Sequence, residues 1–243
     1  MATRNFTMYY EIYGNEEPLL MIHGNGGSIC RFLYQIPYFS KDYKVIIADS
    51  RSQGKSIDSN DSLSFEMMAD DLNALLNTLG IDSCFVIGGS DGGINGLLLA
   101  IRHPQKVKKL AISGANLWPD TTAIEPFLHD WALEINEKLE KEPLTPKIKQ
   151  EQKLFNLLSY GPHLNIGQLK TIKCPTLVIG VGHDKVRPVH TLLIAESIPK
   201  SYLWILPNSG YATAIKYKDQ FNETVYKFFQ TPYRKIEGFS HLK

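Results

Sequence analysis

The sequence predicts an α/β fold, a mostly parallel sheet with helices on both faces and an inserted helical cap. Three observations carry this. Short apolar, β-prone runs alternate with helical patterns along most of the chain, the pattern of parallel strands joined by crossover helices. One run, Cys84-Phe85-Val86-Ile87, turns through Gly88-Gly89-Ser90-Asp91-Gly92-Gly93 directly into the helical pattern Ile94 to Ile101. Between about Leu117 and Lys170 the alternation stops and only helices are read. Residues 1–116 and 171–243 are therefore expected to form the core, with 117–170 inserted as the cap.

Length and charge narrow the classes. A chain of 243 residues suits one α/β domain. Its formal net charge of +1 gives no electrostatic case for nucleic acid or an anionic membrane. The expected partner is a small-molecule substrate or ligand, and the oligomeric state is left open. Cys30, Cys84 and Cys174 are odd in number and scattered, so they read as reduced core residues. No signal-like apolar core opens the chain and no apolar run nears the roughly 18 residues of a membrane span. The cytoplasm is the expected compartment.

Taken in order, Asn5 to Tyr13 alternates and reads as an edge strand ended by Gly14-Asn15. Pro18 to Ile22 is a short buried strand leading into the loop His23-Gly24-Asn25-Gly26-Gly27, which exposes backbone N–H groups. Val45 to Ala48 is another strand and leaves through Asp49 to Ser56. Ser64 is placed to cap a helix from Phe65 to Leu79, whose Met68, Leu72, Leu75, Leu76 and Leu79 share a face. Val107 to Ser113 follows as a strand. In the helical block, Ile124, Phe127, Leu128, Trp131, Ile135 and Leu139 recur at helical spacing, and a second helix is expected over Pro146 to Tyr160. Trp118, Phe127 and Trp131 are assigned to packing within it. Thr176 to Gly180 resumes the sheet, then a loop through Pro188, a helix Val189 to Ser197, a strand Tyr202 to Leu206 and a closing helix Lys218 to Phe229.

The Gly88-x-Ser90-x-Gly92 turn is where chemistry is expected. A sharp strand-to-helix turn holds a serine in a strained backbone conformation with its hydroxyl outward, and the close packing there demands small flanking residues. The helix N-terminus behind Ser90 supplies free N–H groups and partial positive charge, suited to an oxyanion.

With His23-Gly24, Gly88 to Gly92, the turn Asp49-x-Arg51-x-x-Gly54-x-Ser56, and Asp184 followed by Pro188, the chain resembles the α/β-hydrolase family, small esterase type with a helical cap, over nearly its whole length. The resemblance implies the α/β-hydrolase fold and hydrolysis of a small ester or related acyl compound. It implies Ser90 as nucleophile, Asp184 as the acid orienting a histidine, and an oxyanion hole from the backbone N–H groups of Asn25 and Asp91.

At Pro207-Asn208-Ser209-Gly210-Tyr211 the family pattern has histidine where this chain has Tyr211. A phenol of ordinary pKa near 10 is protonated at neutral pH and does not accept the serine proton as imidazole does. Loss of one triad member typically leaves roughly 10³ to 10⁴ over water. His183 or His190 is a possible substitute, while His23 and His103 read as structural, His129 and His163 as cap residues and His241 as tail. Ser52 in place of glycine, Gly89 before the serine and Lys185 after the acid are further departures. Three readings stay open. One is a hydrolase with an incomplete triad, and another a non-catalytic ligand-binding protein. The third is a site rebuilt by evolution or design, in which Lys185 is an amine nucleophile with Tyr211 relaying protons. Gln53-Gly54-Lys55-Ser56 lacks the first glycine of a phosphate loop, because position 49 is Asp49. No residue set has metal-ligand spacing, so no metal or other cofactor is expected.

Overall fold

The computed structural model describes residues 2–3 and 6–234. Seven strands form the central sheet: β1 (Tyr10–Tyr13), β2 (Glu17–Ile22), β3 (Tyr43–Ala48), β4 (Cys84–Gly89), β5 (Val107–Ser113), β6 (Thr176–His183) and β7 (Ser201–Gly210). Their order is β7-β6-β5-β4-β2-β3-β1, and only β1 runs antiparallel to its neighbour. Six longer helices accompany them: α1 (Phe65–Thr78), α2 (Asp91–Arg102), α3 (Pro126–Glu140), α4 (Pro146–Tyr160), α5 (Pro188–Ser197) and α6 (Lys218–Gln230).

The apolar runs of the strands are continuous because both faces are buried. Leu20 and Ile22 of β2, with Ile46 of β3 and Val86 of β4, enter one core together with α1, α2 and α5. Leu19, Met21, Val45, Ile47 and Ile87 enter the other, closed by Phe39, Tyr43 and the α6 residues Phe221, Val225 and Phe229. Alternate side chains of a strand thus serve opposite faces, as the two-residue period requires. Ser64 caps α1 as its sequence suggests, its Oγ accepting from Met67 N at 3.2 Å.

The strand order reverses between β2 and β4. From β2 the chain moves outward to β3, then returns to lay β4 on the other side of β2. Loops leaving the carboxyl ends of β2 and β4 diverge at such a switch point and open a crevice. Ile22 pairs with Gly88 in register, which sets the loop from His23 beside Gly89 and Ser90.

The segment between β5 and β6 is helical, with α3 and α4 packed on each other. Buried ion pairs fasten α4 to the core. Lys153 Nζ lies 3.0 Å from Asp58 Oδ2; Arg51 joins Asp58 at 3.1 Å and Asp71 of α1 at 2.7 Å. Gln150 Nε2 adds a 2.6 Å bond to Ser52 O.

Several expectations are corrected. Phe6–Thr7 belongs not to the main edge strand but to a separate small sheet with Ile57–Asp58, because the chain breaks at Met8 to bury that side chain in the core. Asn5 and His241 lie outside the described residues. The helix after the serine starts at Asp91 rather than Ile94, since Gly93 N and Ile94 N already bond Ser90 O. β6 runs on to His183 and β7 to Gly210, because those two residues still pair after a register shift. Cys30 is exposed on a short helical turn, whereas Cys84 and Cys174 are buried; all three are free. Phe127 is exposed rather than packed, since the inner face of α3 is made by Leu128, Ala132, Asn136 and Leu139; Trp131 is partly exposed but packs edge-on against Phe155 of α4. Among the described residues no helix is long and apolar enough to cross a membrane.

Candidate active site

Ser90 sits between β4 and α2 with φ 54° and ψ −124°, a conformation costing of order 1–3 kcal/mol for a non-glycine residue. The surroundings impose it. Ser90 N donates to Ser113 O at 2.8 Å and Ser90 O receives Gly93 N at 2.7 Å. A Cβ on Gly88 would lie 2.2 Å from Gly92 O, and one on Gly92 only 1.9 Å from Ile22 O. Both contacts are to backbone, so neither position accepts a side chain. Gly89 differs: its added Cβ would meet only Ser113 Oγ, at 3.8 Å.

The loop after β2 is held from behind by Asp49. Its Oδ1 accepts Ile29 N at 2.8 Å and its Oδ2 accepts Lys55 N at 2.7 Å, joining the 23–29 loop to the 49–56 turn. His23 is buried and bonded at both nitrogens: Nε2 accepts Ser50 N at 2.9 Å, which places the proton on Nδ1 for donation to Gly24 O at 2.8 Å. Burial lowers its pKa, so it is a neutral strut. Ser52 adopts φ 60°, the left-handed region that glycine occupies without strain. Its hydroxyl donates to Asp58 Oδ2 at 2.7 Å and holds the turn.

Tyr211 reaches Ser90. Both line one pocket, and burial of the phenol pushes its pKa up to about 12, with the Ser90 side chain opposing the shift. The residue as a whole is 41% exposed, at the rim of the pocket. Asp184 does not bond Tyr211; its Oδ1 accepts Lys185 N at 2.7 Å and Val186 N at 3.4 Å. The carboxyl's own pKa is raised by burial. Imidazole has two nitrogens and can bridge serine and acid at once, whereas a phenol has one O–H to offer. Lys185 Nζ lies over the Tyr211 ring, 4.4 Å from its centroid, a position that attracts an ammonium.

No described histidine hydrogen-bonds Ser90: His23 lines the same pocket, but both its nitrogens are engaged elsewhere. His183 is exposed at the end of β6, pairing with Gly210. His190 is buried, its Nε2 accepts Leu117 N at 3.0 Å, and burial lowers its pKa to about 4. His103 pairs with Asp70, and His129 bonds Pro119 O.

Two features escaped the sequence. Asn25 Nδ2 donates to Asp91 Oδ2 at 2.9 Å and to Leu154 O of α4 at 3.1 Å, bridging the serine turn and the helical block. Burial pushes the Asp91 carboxyl up to about 6, against that one bond from Asn25. Arg31 also lines the pocket, a cavity of about 360 Å³ shared with Ser90, Asp184, Lys185 and Tyr211, within the range of small-molecule sites. Nothing in the spacing of Arg31 marks it, since its place depends on how the 23–32 loop folds.

Sheet order, switch point and strained serine together define an α/β-hydrolase architecture. A family profile described as alpha/beta hydrolase fold matches residues 17–142, more than half of the chain, and the chain belongs to that family. RutD of Stutzerimonas stutzeri, provisionally named a carbamate hydrolase, is 26% identical over 89% of this chain and 94% of its own. Among solved structures, a hydrolase of Pseudomonas aeruginosa superposes with a TM-score of 0.80 at 20% identity, covering 95% of this chain and 97% of that one. An enol-lactonase of Burkholderia xenovorans gives 0.74 at 21% identity, covering 92% and 96%.

Proposed function

We propose that the chain is a serine-type α/β hydrolase acting on a small ester or related acyl compound, with turnover held low by Tyr211. The observation that carries this is the strained Ser90 turn opening into a pocket that it shares with Tyr211, a phenol whose pKa is pushed to about 12. Ser90 Oγ adds to the acyl carbonyl, the oxyanion is received by the backbone N–H groups of Asn25 and Asp91, and the helical block acts as a cap. The Gly24 backbone abuts Ser90, with an added Cβ 2.9 Å from Ser90 Cβ, which supports that placing of the loop. The missing step is removal of the serine proton. On the order of one phenol in 10⁵ is ionised at neutral pH when its pKa is about 12, so the base form is scarce. The carbamate and enol-lactone in the relatives' names are both acyl carbonyl compounds, in keeping with this chemistry.

Esterase assays on a short activated ester decide between the open readings. Tyr211→His is expected to raise kcat by about 10² to 10⁴, the usual worth of a general base, and Ser90→Ala to abolish the gain. No gain would favour a ligand-binding protein. Borohydride trapping of a ketone or aldehyde on Lys185 would favour the amine reading, and its absence the serine one.

A further inference from the structure

The pocket beside Ser90 contains two cations that stand outside any ion pair among the described residues, although the Asp184 carboxyl lies within electrostatic reach of one of them, Lys185. Arg31, from the turn at Ile29–Phe32, and Lys185, from the loop after β6, both line it. Among the described residues neither takes part in an ion pair, whereas Arg51, Lys149 and Lys153, at the junction of α4 with the core, are matched by Asp58, Asp71 and Asp61. Lys185 is also held in place. Its N donates to Asp184 Oδ1 at 2.7 Å, its O accepts Glu125 N at 2.8 Å, and its ammonium rests over the Tyr211 ring. Arg31 is near enough that its charge acts on the Tyr211 phenol. The facing acids are Asp184, whose Oδ1 is engaged by loop amides, and Asp91, bonded to Asn25 behind the serine turn. His23 is neutral in its bonded form.

Unmatched cations on a concave wall focus positive potential and draw anions. A guanidinium binds a carboxylate through two parallel N–H bonds, and an ammonium adds a point charge. We infer that Arg31 and Lys185 form a carboxylate subsite, so that the acyl compound taken at Ser90 is itself an anion, a half-ester of a short dicarboxylic acid in its simplest form. This rests on the acyl reading only for what happens at Ser90; recognition of the anion does not require the serine to react.

The test is titration calorimetry at neutral pH and low salt, with monomethyl succinate, glutarate and adipate each compared with its dimethyl ester. The full chain is expected to bind at least one monoanion about tenfold tighter than its neutral diester, with the advantage shrinking as salt rises. Arg31→Gln and Lys185→Gln should each reduce that advantage several-fold and leave diester affinity unchanged, which also reports on folding of the variants. Equal binding of anion and diester, a preference that survives both substitutions, or no monoanion binding up to about 10 mM would each overturn the subsite. Fluorophosphonate labelling of Ser90 in Tyr211→His is read separately. Failure there sinks the acyl reading and leaves the anion result standing.

Discussion

At the carboxyl end of β4 the Ser90 turn is fixed by main-chain contacts, whereas the chain leaving β7 toward Tyr211 is held by side-chain hydrogen bonds from Ser209, Thr213 and Tyr217. Gly88, Ser90 and Gly92 are fixed by backbone atoms of β2, β5 and α2 at or inside contact distance. The other turn shifts register between Leu206 and Gly210, passes through Asn208 at φ 52° and ends in a residue that is 41% exposed. A change at Gly88 or Gly92 meets main chain at once. A change at Tyr211 alters one side chain at the rim. The Ser90 turn is thus inseparable from the fold, while position 211 can change identity with the fold intact.

Four substitutions or profiles test that contrast, from the largest effect down. Gly92→Ala forces a Cβ to 1.9 Å from Ile22 O and should cost about 3 kcal/mol or more; a denaturation midpoint close to that of the parent would show the serine turn to be softer than described. The pH–rate profile of the parent comes next. With Tyr211 at about 12, any Ser90-dependent rate should climb about tenfold per pH unit from neutral upward, because phenolate is gained in that proportion. Tyr211→His should instead level off near the imidazole pKa of about 6.5. A flat parent profile removes the phenol from the reaction.

Third is Asp91. Its folded pKa of about 6 stands above the ordinary carboxylate value of 3.8, so the folded state holds the proton more tightly. That contribution is complete below the unfolded pKa and is lost as pH rises through the folded one. Asp91→Asn should therefore be more stable than the parent at neutral pH, by up to about 3 kcal/mol, with the gap closing as pH falls toward 4. Equal stabilities across that range would show the carboxyl to be ordinary. The smallest effect is expected at Gly89→Ala, where the open space predicts a change within about 0.5 kcal/mol, in contrast to Gly88 and Gly92.

Periodicity exposed the strands because both faces are apolar, and Gly88-x-Ser90-x-Gly92 exposed the turn because only small residues fit there. Tyr211 was legible as a departure since the position after Gly210 is set by the strand before it. Ser52 shows the same logic, a serine carrying the positive φ that its position demands. Arg31 was not legible, because no local spacing tells which way a loop side chain will face. Nor were the Asn25 bridge to Asp91 and Leu154, or Asp49 joining two loops, which depend on residues brought together only by the fold. Phe127 misled for the opposite reason: helical spacing finds an apolar stripe, but the buried face of α3 lies to one side of it, and Trp131 on the same stripe packs only through its edge contact with Phe155.

Lys153 is 8% exposed and Asp58 fully enclosed where they meet, and Arg51 extends that contact to α1. Breaking a buried pair leaves an unmatched charge and costs about 3–5 kcal/mol. Release of the helical block would therefore take away one of the two cations on Asp58 and leave Arg51 alone to serve both Asp58 and Asp71. Thermal unfolding should show one cooperative transition in which block and sheet melt together.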